Sequence, residues 1–98
     1  MKQSIIQPHG YKCFLCGRNG NGDKLERHHI FGGANRKKSD EDGLTVWLCG
    51  DRCHRNGRYA AHQNRNTMDE LHRAGESIWI ETFGTKEEFI KRYGKDYL

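Results

Sequence analysis

The chemistry available to this 98-residue chain is concentrated in four cysteines and six histidines. The cysteines form two short-spaced pairs, Cys13-x-x-Cys16 and Cys49-x-x-x-Cys53, each beside a glycine. Four thiolates in a tetrahedron make a closed zinc site, which adds folding free energy without catalysing a reaction. The paired spacing predicts such a site, although the second pair is one residue wider than the first. Two adjacent histidines, His28 and His29, lie in the strand-like run 25–31, which dissolves into Gly32-Gly33. His54 directly follows the last cysteine, and His62 stands further along the same segment. Imidazole ligates divalent metals and, with an unperturbed pKa of about 6.5, accepts protons near neutral pH.

These residues need a scaffold, and composition limits what it can be. A hydrophobic content of 34% and a mean hydropathy of -1.02 give one domain a thin core, which usually needs a staple. No signal-like or membrane-length apolar run stands out, so a reducing cytoplasmic setting is expected, favouring metal over disulfide. The formal charge of +4 is uneven: residues 1–66 carry 12 Lys+Arg against 6 Asp+Glu, and residues 67–98 carry 5 against 7. The cation-rich part holds every cysteine and suits an anionic partner, of which nucleic acid is the commonest.

Along the chain, residues 1–11 promise an irregular start in which Ser4-Ile5-Ile6 is a candidate edge strand. The Asn-Gly steps of 19–22 supply a reversing turn. A first strand then ends at His28-His29. Residues 31–43 have no period and read as a long exposed loop. Leu44-Thr45-Val46-Trp47-Leu48 is rich in β-branched and aromatic residues and reads as the second strand, leading into Cys49. Asp51 to about Asn64 is most simply a helix, with Asn56-Gly57 as its weak point. Thr67-x-x-Glu70 has the form of a capping box, and Met68, Leu71, Gly75, Ile78 and Trp79 recur at helical spacing toward Phe83 and a closing Gly84. Thr85-x-x-Glu88 opens a second short helix that ends at Gly94. Phe83, Phe89 and Tyr93 join the apolar set as core and lid.

Taken together, His28-His29-Ile30-Phe31-Gly32-Gly33, the run Gly43 to Cys49, Cys53-His54, and the ending Glu88 to Leu98 resemble the HNH nuclease family, in particular small phage or prophage HNH proteins. The resemblance spans nearly the whole chain. It implies an α+β fold: a ββα-metal core with the four-Cys zinc knuckle over residues 1–66, and two C-terminal helices over 67–98, within a single domain. The activity implied is metal-dependent hydrolysis of DNA phosphodiester bonds, nicking or cleaving.

By position, the resemblance makes His29 the general base and His28 and His54 ligands of one catalytic divalent cation, Mg2+, Mn2+, Ni2+ or Zn2+. A metal is needed because the phosphodiester anion repels a nucleophile. His62 is an open candidate for a further ligand: eight residues of straight helix span about 12 Å, so it reaches the ion only if Asn56-Gly57 breaks the helix. Arg27, Arg36, Lys37, Lys38, Arg52, Arg55 and Arg58 bracket the site and are candidates for backbone phosphate contacts. The family's middle Asn is absent, leaving Asn35, Ser39 or Asp42 to hold the loop that bears the base. That absence keeps an alternative open, a catalytically silent zinc-stapled DNA-binding or packaging-accessory module with phage packaging proteins as partners. Neither reading involves a membrane or a small-molecule cofactor. His28 and His29 face opposite ways on a regular strand, so both serve one site only if the strand ends there.

Overall fold

The computed structural model describes residues 3–98; Met1 and Lys2, the first two residues of the start expected to be irregular, lie outside them. Two strands, β1 (Leu25–His29) and β2 (Thr45–Cys49), pair antiparallel with Leu25 opposite Cys49 and His29 opposite Thr45. A helical turn of π type (Gly50–Arg55) follows β2. Between the strands lies a six-residue helix, α1 (Arg36–Glu41), and after the π turn come α2 (Arg65–Thr82) and α3 (Lys86–Tyr93). The result is a small α+β fold with a two-stranded sheet. Among the described residues no helix is long and apolar enough to cross a membrane.

The segment 3–9 is irregular, as the sequence implied, and forms no strand; it is stitched to the approach to β2 by Ile5 N–H to Gly43 O (2.9 Å) and to β2 itself by Ser4 Oγ–H to Thr45 O (2.5 Å). Gly20 and Gly22 take the positive φ values expected of the Asn-Gly turn, 89° and 83°.

The stretch 31–43 departs from the expected exposed loop. It contains a single 3-10 turn (Gly33–Asn35) and α1, and its ends are buried at Phe31 and Leu44. No apolar period announces α1 because its one buried residue is polar: Ser39 Oγ donates to Leu44 O (2.6 Å) and accepts from Phe31 N–H (3.2 Å). With Ile30 N–H to Leu44 O (3.0 Å), these bonds pin the neck of the connection immediately after His29.

A helix from Asp51 to Asn64 is not formed. The chain makes its π turn, reverses at Asn56-Gly57, whose N–H groups both return to Asp51 O, and runs back along itself. Gly57 is required by space: a Cβ there would sit 1.9 Å from the Arg52 carbonyl oxygen.

The capping box expected at Thr67 and Glu70 is not the start of α2, which begins two residues earlier. Asn64 is its N-cap, accepting from Thr67 N–H (3.0 Å), and the helix stops at Thr82 with Phe83 as C-cap, ahead of Gly84. The expected spacing holds inside it, with Leu71, Gly75 and Trp79 buried. Gly75 lets α2 approach β1, since a Cβ there would meet Ile30 Cγ2 at 2.5 Å. For α3, the Thr85/Glu88 capping box and the left-handed Gly94 cap both form.

Phe31, Phe89, Tyr93 and Tyr97 interleave their rings at centroid distances of 4.7 to 6.3 Å. Asp42 fixes the C-terminal helices from outside this core. It accepts from Trp79 Nε1 (2.9 Å), Arg92 Nε (2.7 Å) and Tyr93 OH (2.7 Å), and despite its burial these donors hold its carboxyl below the ordinary value.

Candidate functional site

The π turn carries the last cysteine of one cluster, Cys53, and the middle histidine of another, His54. Asp23 holds its start, with Oδ1 and Oδ2 accepting from the N–H groups of Asp51 and Arg52 at 2.9 Å each. Such free donors are what a helix start leaves unsatisfied. Gly50 packs where a Cβ would lie 2.9 Å from Lys24 O and from the Glu26 carboxyl. The turn therefore lies tightly on β1.

Cys13, Cys16, Cys49 and Cys53 place their sulfurs within 4.8 Å of one another. Cys16 and Cys49 are 3.5 Å apart, close to the edge of about 3.8 Å of a tetrahedron with metal–sulfur bonds of about 2.3 Å. Burial pushes Cys49 up to about 11 and Cys53 up as well. For Cys16, burial is outweighed by the Arg18 backbone and the neighbouring thiols, and it falls to about 6. Four thiolates this close repel one another and ionise together only around a cation. The cluster is compatible with a structural zinc.

On the other side of Cys53, His28, His54 and His62 bring one ligand nitrogen each within 4.8 Å of one another. His54 Nδ1 donates to Glu26 Oε1 at 2.9 Å, which fixes the ring and turns Nε2 toward His62. His54 Nε2 lies 3.2 Å from His62 Nε2, near the edge of about 3.3 Å of a tetrahedron with metal–nitrogen bonds of about 2.0 Å. His62 reaches this position because the chain doubles back, pairing Ala61 N–H with Cys53 O (2.8 Å) and His62 N–H with His54 O (3.1 Å). The condition set by the sequence, a broken helix, is met. His28 is 4% exposed and its Nε2 has no hydrogen-bond partner. Burial, then His54 and His62, push its pKa down to about 3, so it stays in the neutral form that binds metals. Burial and His54 lower His62 too. A buried orphan nitrogen facing two imidazoles fits a divalent cation.

β1 runs regularly through both histidines and ends on His29. The side chains take opposite faces, as period two requires. His29 is thus outside the three-imidazole cluster. Its Nε2 lies 3.2 Å from Asp40 Oδ1, yet it lines the same cleft of about 430 Å³ as His28, His54 and His62.

Of the three residues expected to replace the middle Asn, Ser39 ties the neck after His29, Asn35 Nδ2 donates to Tyr93 O, and Asp42 anchors α2 and α3. The partner of His29 is Asp40, which no local pattern marks. Glu26 was readable: two residues before His28 on one strand, it must share that face. His72 of α2 also lines the cleft, stacked on Phe31 at 5.3 Å.

The basic residues divide. Arg27 and Arg36 line the cleft, and Lys37 borders a shallow pocket shared with His29 and Asp40. Lys38 Nζ is turned away to Arg92 O, and Arg55 lies against Glu26 at 3.2 Å. Arg52 and Arg58 flank a separate apolar pocket beside Cys16 and Cys53. No family model, curated protein or solved structure matches this chain.

Proposed function

We propose that this chain is a metal-dependent endonuclease of the HNH type, stapled by structural zinc and hydrolysing DNA phosphodiester bonds. The observation that carries the reading is the convergence of His28, His54 and His62 in an open cleft whose edge holds a differently tethered imidazole, His29. In this reading the β1–β2 hairpin and the π turn stand for the ββα-metal core, with one turn in place of the family's helix. His28, His54 and His62 hold the catalytic cation through Nε2. Three imidazoles suit Zn2+, Ni2+ or Mn2+ better than Mg2+, which prefers oxygen. The bound ion supplies neutralisation of charge on the scissile phosphate and the leaving oxygen.

His29 does the proton chemistry. With Nε2–H donated to Asp40, Nδ1 keeps a lone pair and accepts a proton from water, while the Asp40 carboxylate stabilises the imidazolium that forms. Arg27 and Arg36, on the cleft wall, hold the flanking phosphates.

Nicking of supercoiled plasmid as a function of added divalent cation tests the reading. Wild-type protein is expected to nick, and His29→Ala to lose about 100-fold or more while retaining its fold. Salt-dependent DNA binding without nicking under any of the four cations would favour the silent DNA-binding module instead.

A further inference from the structure

A second groove, of about 500 Å³, opens off the histidine cleft and shares His62, Met68 and His72 with it. It lies between the start of α2 and the C-terminal tail, where the cation-rich and the acidic parts of the chain meet, and its own lining is cationic. Glu76 is fully buried, its Oε1 accepting from Tyr97 N–H at 2.6 Å, and Asp96 is held by Lys86 at 3.0 Å. That leaves Asp69 as the one carboxylate in the groove lining, against the exposed cations Arg65 and Lys95. Among the described residues neither cation makes an ion pair with a carboxylate, in contrast to Lys86 and Arg92. Lys95 Nζ lies 5.3 Å from the ring centre of Tyr97, a partly exposed aromatic in the same lining.

Cations therefore line both of two adjoining depressions: Arg27 and Arg36 the histidine cleft, Arg65 and Lys95 the groove beside it, with His62, Met68 and His72 common to the two. Adjoining concave surfaces lined by cations fit a flexible polyanion.

We propose that the groove between α2 and the tail carries an unpaired DNA strand away from the scissile phosphate, with Arg65 and Lys95 each contacting one backbone phosphate. The proposal rests on the nuclease reading for the position of that phosphate and adds the form of the substrate: a single strand, or a duplex locally opened, on the side facing α2.

The test is the salt dependence of binding to a labelled single-stranded oligonucleotide, measured by fluorescence anisotropy on zinc-loaded protein. The proteins compared are wild type, Arg65→Ala/Lys95→Ala, and a control of equal charge, Arg73→Ala/Lys91→Ala, at exposed positions outside the groove. Each phosphate contact on a single strand contributes about 0.7 to the slope of log K against log salt, so the groove variant is expected to be shallower than wild type by about 1.4. The control is expected to keep the wild-type slope. Equal slopes for wild type and the groove variant, an equal flattening in the control, or a flattening seen only on blunt duplex would each overturn the proposal. Plasmid nicking measured alongside separates the two ideas. Nicking with an unchanged slope leaves the nuclease and removes the groove, whereas the predicted slope change without nicking keeps the groove as a binding track and removes the nuclease.

Discussion

The four-thiol and three-imidazole clusters meet at Cys53-His54, on one turn of chain, and yet they are built for opposite ends. The thiol cluster supplies four donors, three of them buried, and a tetrahedral ion there has no position left for anything else. The imidazole cluster supplies three donors and opens into a cleft of about 430 Å³ with His29 at its edge. Donor number and access separate the two: four thiols compatible with a structural zinc, against three imidazoles beside an open cleft. The two clusters also share a support: Cys53 and His54 sit on the same turn, whose start Asp23 tethers, so what disturbs one cluster is expected to disturb the other.

The largest effect should come from removing the staple. Chelation of zinc, or Cys49→Ser, is expected to unfold the chain, since structural zinc contributes on the order of 10 kcal/mol in small zinc domains; circular dichroism with metal stoichiometry measures it. An unchanged melt after complete chelation would remove the contrast between the two clusters.

Next in size is Asp42→Asn. Losing the charge that Arg92, Trp79 and Tyr93 all address is expected to cost about 3 kcal/mol in denaturant unfolding, with the zinc stoichiometry unchanged.

His28→Leu should act in the opposite direction from Cys49→Ser. It replaces a buried nitrogen that has no partner with an apolar group, so with the histidine site free of metal the variant is expected to be more stable by about 1 kcal/mol and inactive in nicking. Its pH dependence sharpens the point. Because the folded pKa of about 3 lies below the unfolded value of about 6.5, the unfolded chain binds more protons between these limits. Wild-type stability therefore falls as pH is lowered below about 6.5, and His28→Leu should fall less steeply. A variant that loses stability at neutral pH would show that His28 is a packing residue rather than a ligand held ready.

The smallest expected effect is Asp40→Asn, about tenfold in the nicking rate with little change in stability, because an amide still orients His29 but no longer stabilises its cation. No change in rate would place the base elsewhere.

Much of this was legible in the sequence where the signal is local. The strand ending in two histidines, the Asn-Gly turn and the α3 capping box each depend on neighbours a few residues apart, and each formed as the spacing implied; the two Cys pairs were legible one by one, and the fold brings them together. Helix α1 was not legible because its buried contact is a serine hydroxyl, not an apolar stripe. The segment after Cys53 misled because helix is the simplest continuation, and only the space beneath Gly57 makes a reversal the better one. Asp40 was missed since an acid eleven residues from His29 means nothing until α1 exists.

By itself, then, the sequence determined the donors: which thiols and imidazoles are present, and that His28 and His29 point to different faces, since these follow from composition and from the two-residue period of a strand. Tertiary structure decided their company. It placed His62 against His54 by doubling the chain back, set Asp40 against His29, and brought Arg65 and Lys95 to one groove from positions thirty residues apart. Those pairings depend on how α1, the π turn and the tail pack on the hairpin. No local preference encodes packing of that kind.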